Sequence, residues 1–254
     1  MKISIASFSF HGLHGARMMD IFGYLESVKF RYRLNAADIW SGMIGTTEPD
    51  VIGKVREALD EKEMIVANYH VDEAHVWNPD REERAKNRLI LEEHLRVAES
   101  LGAATVRIDF GGRASDMCEA QFDYLASRYS EYARRAADNG YRVGAETHFG
   151  PSLVLENMKR IYEAVDNPAY GILLHIGHWV DGSEEEGDRW AAAKAMHTHI
   201  DARVTATCLA EKIKLLKDAG YQGFWGVEHH SARNEYSEVA WQLVTLQRAL
   251  RGLG

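Results

Sequence analysis

Residues 195–201 read Ala-Met-His-Thr-His-Ile-Asp, a short run in which ionisable and apolar side chains alternate. A β-strand directs successive side chains to opposite faces, so residues two positions apart share a face. His197, His199 and Asp201 therefore share one face, and Ile200 lies on the other. Such a strand packs one face against apolar residues and presents ionisable groups from the other.

Three more segments in the second half of the chain follow the same rule. They are Val-Gly-Ala-Glu-Thr-His at 143–148, Gly-Ile-Leu-Leu-His-Ile-Gly-His at 171–178 and Phe-Trp-Gly-Val-Glu-His-His at 224–230. Their polar faces carry Glu146 with His148, His175, and Glu228 with His230. The opposite register is apolar at Val143, Ala145, Leu174, Ile176 and Val227. Four strand ends that direct acids and imidazoles towards one point are typical of a metal site in an enzyme.

Strand and helix patterns alternate along the whole chain. The predicted strands cover residues 2–8, 36–40, 64–70, 104–109, 141–147, 170–175, 195–200 and 223–228. Their spacing of about 25–40 residues fits a strand, a loop and a crossover helix. Eight such units without a linker predict a closed (β/α)8 TIM barrel, an α/β fold in a single domain over residues 1–254. A doubly wound open sheet is the alternative, but the glycine-rich phosphate loop after its first strand is absent.

Capping residues predict where the helices begin and end. Thr47 is expected to cap the helix after strand 2, and Asn78-Pro-Asp80 to open the long charged helix after strand 3. Ser115-Asp116 is expected to open the next helix. Asn139-Gly140 should close it, because a left-handed C-cap favours glycine.

Bulk composition excludes several classes of protein. The 254 residues carry a formal net charge of −8 with no lysine or arginine block, which argues against a nucleic-acid partner. No apolar run approaches the ~20 residues that a membrane span needs, and the first ten residues lack the apolar core of a signal peptide. Cys118 and Cys208 suggest no disulfide framework, so a cytoplasmic location is expected.

The C-terminal ends of the strands form the active-site face of a TIM barrel. Glu146 and Glu228 follow apolar runs, and a buried glutamate without a partner is rare, so both are candidate metal ligands. A buried structural salt bridge is the alternative. One of His197, His199 and Asp201 is expected to bind the metal, and His175 is the fourth candidate, although strand histidines are often hydrogen-bonded core residues.

Other polar residues near the strand ends are candidate substrate contacts. His70 ends strand 3 and could reach a substrate hydroxyl. Arg107 ends strand 4, where an internal ion pair with Asp109 is an equal alternative. Arg203 follows strand 7, where barrel enzymes hold phosphate, although a single loop arginine is usually solvated. The remaining candidates for substrate contact are His148, His178 and His230.

These motifs resemble the xylose isomerase-like superfamily of TIM barrels, and especially its sugar phosphate isomerase/epimerase branch. In that family one metal is held by a glutamate on strand 5, an aspartate on strand 6, a histidine on strand 7 and a glutamate on strand 8. The resemblance therefore implies Glu146, His199 and Glu228 as metal ligands. His175 stands in the place of the family's aspartate, and Asp201-Ala202 replaces its usual Lys-Asp.

The extra histidine changes the metal that we expect. One divalent ion held by two imidazoles and two carboxylates should be Mn, Zn, Co or Fe in preference to Mg, because nitrogen ligands suit the transition metals better. The lost aspartate also leaves open a degenerate site with weak metal affinity. The missing lysine implies a substrate that differs from those of better-known members.

The resemblance implies proton abstraction next to a carbonyl. Glu146 and Glu228 would be the catalytic acid/base pair, acting through a metal-stabilised enediolate on a small-molecule sugar, sugar phosphate or polyol. A metal-dependent dehydratase or lyase on a polyol or sugar acid is the alternative, as is a non-catalytic sugar-binding barrel. An abasic-site endonuclease of the same superfamily would need a basic groove, which the charge of −8 disfavours. The family also implies a homo-oligomer.

Overall fold

Eight parallel strands form a closed barrel in the computed structural model, which describes residues 1–252 of the chain. The strands follow one another in chain order, and β1 pairs with β8 to close the barrel. They are β1 (Ile3–Ala6), β2 (Ala36–Trp40), β3 (Ile65–Val71), β4 (Thr105–Ile108), β5 (Arg142–Glu146), β6 (Tyr170–His175), β7 (Ala195–Ile200) and β8 (Trp225–Val227). The predicted (β/α)8 fold is therefore confirmed.

Helices connect consecutive strands and surround the barrel. They are α1 (His11–Gly15), α2 (Ile21–Glu26), α3 (Ser41–Ile44), α4 (Pro49–Glu61), α5 (Arg81–Leu101), α6 (Glu119–Asn139), α7 (Leu155–Val165), α8 (Glu184–Ala191), α9 (Ala202–Thr207), α10 (Leu209–Asp218) and α11 (Glu235–Gly252). Short 3-10 turns cover Ser7–Phe10 and Gly150–Leu153, and a π-helical turn covers Ser27–Arg31. The predicted single domain covers residues 1–254, and residues 253 and 254 lie outside the described residues. That the whole chain forms one domain stays a prediction.

The apolar register of each strand packs against the surrounding helices. Val143 and Ala145 of β5 and Ile172 and Leu174 of β6 are fully buried in one continuous hydrophobic core. Burial of this apolar surface supplies most of the driving force for folding. Because this register holds the strands against the helices, the alternate register faces the barrel interior, where the ionisable residues lie.

Some predicted helix boundaries are right and two are wrong. Asp80 caps α5 by accepting hydrogen bonds from two backbone N–H groups, and Gly140 ends α6 in the left-handed conformation. Thr47 is not a cap, because the N-cap of α4 is Glu48. Helix α6 begins at Glu119 and not at Ser115-Asp116, since the loop after β4 takes more residues than the capping pattern indicates.

Two strand ladders contain one extra residue. Between β2 and β3 the pairing passes from Ala37–Val66 to Asp38–Asn68, and Ala67 has no partner. Between β6 and β7 it passes from Ile172–Ala195 to Leu173–His197, which leaves out Met196. Such bulges are common beside active sites, where they redirect side chains. Beyond the second bulge, His199 pairs with His175 across the ladder.

Among residues 1–252, no helix is long and apolar enough to cross a membrane. Cys118 is exposed and Cys208 is half-buried, and both are free thiols.

Candidate metal centre

Four neighbouring strands bring Glu146, His175, His199 and Glu228 to one point inside the barrel mouth. Glu146 and His175 end β5 and β6, His199 lies near the end of β7, and Glu228 directly follows β8. All four side chains are buried. The structure thus brings together the three ligands that the resemblance implies and His175, the fourth candidate, and one ligand atom of each lies within 4.8 Å of all the others.

Imidazole nitrogens and carboxylate oxygens alternate around this point. Nδ1 of His175 lies 3.1 Å from Oε1 of Glu146 and 3.4 Å from Oε2 of Glu228. Nδ1 of His199 lies 3.0 Å and 3.2 Å from the same two oxygens. Ligands about 2.1 Å from a common ion are separated by about 3.0 Å in octahedral and about 3.4 Å in tetrahedral geometry. The four separations match the edges of such a coordination shell.

Hydrogen bonds alone account poorly for this arrangement. An imidazole Nδ1 carries at most one hydrogen, yet each Nδ1 faces two carboxylate oxygens. Nε2 of His175 is also buried without a hydrogen-bond partner among the residues described. Two nitrogens and two anionic oxygens that converge on one centre fit a divalent cation in number, charge and donor type.

The charges of the site favour a cation at its centre. Burial raises the pKa of Glu146 and of Glu228, but the adjacent imidazoles outweigh burial and hold both pKa values well below the usual range. Burial lowers the pKa of His199, whereas Glu228, Glu146 and Asp38 raise it, and the net result is a pKa well above the ordinary value. In the absence of a metal, a proton on His199 therefore balances the carboxylates, and a cation must displace it.

Arg107 forms a buried ion-pair network beside this centre. Its Nη1 lies 2.6 Å from Asp72 Oδ1 and 2.9 Å from Asp109 Oδ2, and its Nε lies 3.0 Å from Glu146 Oε2. Nε of Arg107 makes no hydrogen bond among the residues described, so its contact with Glu146 is an ion pair alone. Nη2 donates to His70 Nδ1 over 3.1 Å. Arg107 thus makes the internal ion pairs and also lines the cavity, and its contact with a substrate stays a prediction.

Three further predicted histidines surround the centre. Nδ1 of His148 lies 2.9 Å from Asp109 Oδ2, and this carboxylate together with Glu146 raises the pKa of His148 to about 9 against the effect of burial. Nε2 of His230 lies 3.1 Å from Glu228 Oε2. The ring of His178 stacks on that of His175, with centroids 3.5 Å apart.

A cavity of about 350 Å³ opens above these residues. It is lined by Phe8, His70, Asp72, Arg107, Glu146, His148, His175, His178, Glu228 and His230. Arg203 is absent from this lining. Its guanidinium donates to the carbonyl of Gly177 and lies 3.8 Å from Asp201, so this geometry offers the predicted substrate contact no support.

A second layer of polar residues lies under His199, deeper in the barrel. Oδ2 of Asp38 lies 3.1 Å from His199 Nε2 and 2.7 Å from His197 Nε2, and Asp38 Oδ1 accepts a hydrogen bond from Asn68. Burial raises the pKa of Asp38, but His197 and His199 hold it well below its usual range. Sequence reasoning missed Asp38, although an acid inside Ala-Ala-Asp-Ile-Trp is the same signal that identified Glu146.

Comparison with known proteins agrees with the fold. The family described as the xylose isomerase-like TIM barrel matches residues 34–247 of the chain. This match confirms the resemblance that the motifs on strands 5 to 8 predict. No curated protein sequence matches the chain.

Solved structures share the fold at low sequence identity. The 3-keto-D-glucoside 4-epimerase from E. coli has a TM-score of 0.79 and 14% identity, over 98% of this chain and 99% of that chain. D-psicose 3-epimerase from Clostridium cellulolyticum H10, solved with D-tagatose, has a TM-score of 0.76 and 13% identity, over 99% and 97%. The IolI protein, solved with a bound zinc atom, has a TM-score of 0.74 and 15% identity, over 98% and 96%. At these identities the likeness shows the fold alone.

Proposed function

Because this chain belongs to the xylose isomerase-like TIM barrel family, we propose that it is a divalent-metal-dependent isomerase or epimerase acting on a sugar or sugar phosphate. One observation carries the proposal, namely that Glu146, His175, His199 and Glu228 alternate around one centre with ligand-like separations. Family members solved as sugar epimerases support the same choice of substrate class. The proposed location is the cytoplasm.

The proposed cofactor is Mn, Zn, Co or Fe rather than Mg, since two of the four ligands are nitrogen. A cation bound there would polarise a substrate carbonyl and acidify the neighbouring C–H bond. The IolI protein, a structural neighbour with zinc, supports a transition metal.

Glu146 and Glu228 are the proposed proton carriers, and their surroundings differ. Both oxygens of Glu146 are engaged, Oε1 by the imidazoles and Oε2 by Arg107. Oε2 of Glu228 faces the imidazoles and His230, whereas no hydrogen bond engages its Oε1 among the residues described. Glu228 is therefore the freer base, and it lines the cavity. We assign it the first proton abstraction. Glu146 is ionised, so the proton that it returns would come from protonated His148, whose Nδ1 lies 4.0 Å from Glu146 Oε2. Solvent would then take the proton from Glu228 and reprotonate His148.

The remaining cavity residues are proposed to hold and orient the sugar. His148, with a pKa of about 9, is protonated at neutral pH and can donate a hydrogen bond to a substrate oxygen. His230 lies beside Glu228, and His70 also lines the cavity. His178 and Phe8 offer ring faces. Delivery of a proton to the opposite face of the same carbon gives epimerisation, and delivery to the adjacent carbon gives aldose–ketose isomerisation.

The test combines metal analysis with hydrogen exchange. The purified protein should contain about one divalent metal ion, and the loaded protein should incorporate solvent deuterium into one member of a panel of ketoses, pentose phosphates and inositol-like polyols. Glu228→Gln should slow this exchange by about 10²-fold or more, as expected for loss of a general base. Glu146→Gln should slow product formation. Glu99→Gln, on the outer surface of the barrel, is the matched control.

The outcomes separate this proposal from its alternatives. Full turnover in both active-site variants would refute the two-base assignment. Elimination of water from the substrate, with no solvent deuterium in the sugar that remains, would indicate the dehydratase or lyase. Sugar binding with neither stoichiometric metal nor exchange would indicate a binding barrel.

A further inference from the structure

Asp38 lies directly behind one ligand of the centre, on the side away from the cavity. We propose that Asp38 is the positioning residue for His199, which fixes its tautomer and aims its Nδ1 lone pair at the metal, and that His197 shares this carboxylate. The inference rests on the proposed metal site. It assigns a role to two buried residues that the proposed reaction does not use.

The hydrogen-bond chemistry of Asp38 determines the tautomer. An ionised carboxylate only accepts hydrogen bonds, so the two nitrogens that face its Oδ2 must both carry hydrogen. These are Nε2 of His197 at 2.7 Å and Nε2 of His199 at 3.1 Å. A neutral His199 protonated on Nε2 has its free lone pair on Nδ1. That atom is the one that faces Glu146 and Glu228.

Asp38 is itself held by a chain of hydrogen bonds from the next two strands. Asn68 Nδ2 donates to Asp38 Oδ1 over 2.9 Å, and Thr105 Oγ1 donates to Asn68 Oδ1 over 2.8 Å. All of these side chains are buried. The carboxylate therefore cannot rotate away from His199 without breaking bonds that water does not replace.

Gly226 on β8 leaves the space for this arrangement. A Cβ at position 226 would lie 2.9 Å from His197 Nε2 and 3.1 Å from Asp38 Oδ2. It would also lie 2.5 Å from the carbonyl oxygen of Thr198. Only glycine lets the strand pass this close to the carboxylate and its two imidazoles.

A second metal ion is the competing explanation, because Asp38, His197 and His199 also have ligand atoms within 4.8 Å of one another. The separation of 2.7 Å between His197 Nε2 and Asp38 Oδ2 favours a charge-assisted hydrogen bond, since it is shorter than the ~3.0 Å edge of a coordination shell. A second ion would also require His199 to bridge two cations with both nitrogens deprotonated.

The experiment is titration calorimetry of the metal-stripped, full-length protein with Zn²⁺ and with Mn²⁺. Asp38→Asn keeps an acceptor but removes the charge, and His197→Asn removes the second imidazole. Glu99→Gln is the matched control, because Glu99 is a partly buried carboxylate that pairs with Arg135 between the outer helices, away from the centre. Circular dichroism and melting temperature establish that each variant is folded. Imidazole ¹⁵N spectra of the zinc-loaded protein report which nitrogen of His199 carries hydrogen.

The wild-type protein should bind one equivalent, and Asp38→Asn should weaken binding by roughly 10–100-fold, the usual effect of losing a carboxylate behind a histidine ligand. Glu99→Gln should bind as the wild type does. The spectra should show hydrogen on Nε2 and metal on Nδ1 in the wild type.

Three results would overturn the inference in distinguishable ways. Unchanged affinity in folded Asp38→Asn would remove the role of Asp38 while leaving the metal site intact. Two equivalents in the wild type, with one lost in Asp38→Asn and His197→Asn, would identify a second metal site. Failure of the wild type to bind either metal would refute the proposed function as well.

Discussion

Nε of Arg107 lies 3.0 Å from Oε2 of Glu146, on the oxygen that does not face the two imidazoles of the candidate centre. The guanidinium and the imidazoles thus hold this carboxylate from two sides. The same guanidinium also faces Asp72 and Asp109, so one buried cation serves three carboxylates. This arrangement makes Arg107 both a structural residue and a modulator of Glu146.

Removal of Arg107 should be strongly destabilising. Arg107→Met leaves three carboxylates without their cation, two of them fully buried, and we expect the free energy of unfolding to fall by about 3–5 kcal/mol. Urea denaturation of the metal-free protein, followed by circular dichroism, measures this loss. Arg135→Met is the control, because the partly exposed pair of Arg135 and Glu99 should contribute less than about 1 kcal/mol. Equal effects of the two substitutions would mean that the buried network adds little.

Substitution of His175 should change the metal preference. His175→Asp restores the family's acid and adds a negative charge, so the affinity for Mg²⁺ relative to Zn²⁺ should rise on the order of tenfold, or about 1.4 kcal/mol. Competition titrations with the two ions give the ratio. His175→Gln offers an oxygen without the charge, so an equal change in both variants would attribute the preference to donor type alone.

Acid should destabilise the fold through His70. Burial, assisted by Arg107 and His199, lowers the pKa of His70 to about 4 in spite of Asp38, whereas in the unfolded chain it is about 6.5. Between these two pH values His70 is protonated in the unfolded state and neutral in the folded state, so the free energy of unfolding rises with pH. The stability that neutral His70 contributes is lost as the pH falls from 6.5 towards 4. This difference in the pKa of His70 corresponds to about 3 kcal/mol in the free energy of unfolding.

The measurement compares the wild type with His70→Gln, which keeps an acceptor for Arg107. Urea denaturation at several pH values between 4 and 7, with a chelator present, gives the free energy of unfolding at each pH. This free energy should depend less on pH in the variant than in the wild type. Parallel curves for the two proteins would assign the acid sensitivity to other groups.

A methyl group at position 226 should disturb the layer under His199. We expect Gly226→Ala to lower the free energy of unfolding by about 1–3 kcal/mol, because the added Cβ overlaps the carbonyl of Thr198. Gly53→Ala is the control. Gly53 lies inside α4 with open space around it, so alanine there should stabilise by about 0.5–1 kcal/mol. A thermal melt of each variant distinguishes the two, and a neutral Gly226→Ala would show that β8 can shift outward.

The fold could be predicted almost completely from local patterns. Alternation within strands and regular spacing between them identify eight strands within a few residues, because both follow from burial of one strand face. The loop after β4 was the main failure. Gly111 and Gly112 adopt positive φ there, and the loop continues to Cys118, the N-cap of α6.

The candidate site was predictable where an ionisable residue ends an apolar run, as Glu146 and Glu228 do. Local sequence does not show which residues contact each other across the barrel. The pairing of Asp38 with His197, 159 positions apart, was therefore missed. The direction of a loop side chain is equally hidden from local sequence. Arg203 follows strand 7 as predicted, but its side chain donates to the carbonyl of Gly177 and does not line the cavity, so its contact with a substrate stays a prediction.

The extra residues in two ladders bear on how chain length can vary in evolution. The partners on both sides of Met196 would remain paired if that residue were lost, since Ala195 already faces Ile172 and His197 already faces Leu173. Loss of His197 or Thr198 would instead turn His199 to the opposite face of the strand. Single-residue gaps in alignments of homologues should therefore concentrate at Met196 and, by the same reasoning, at Ala67.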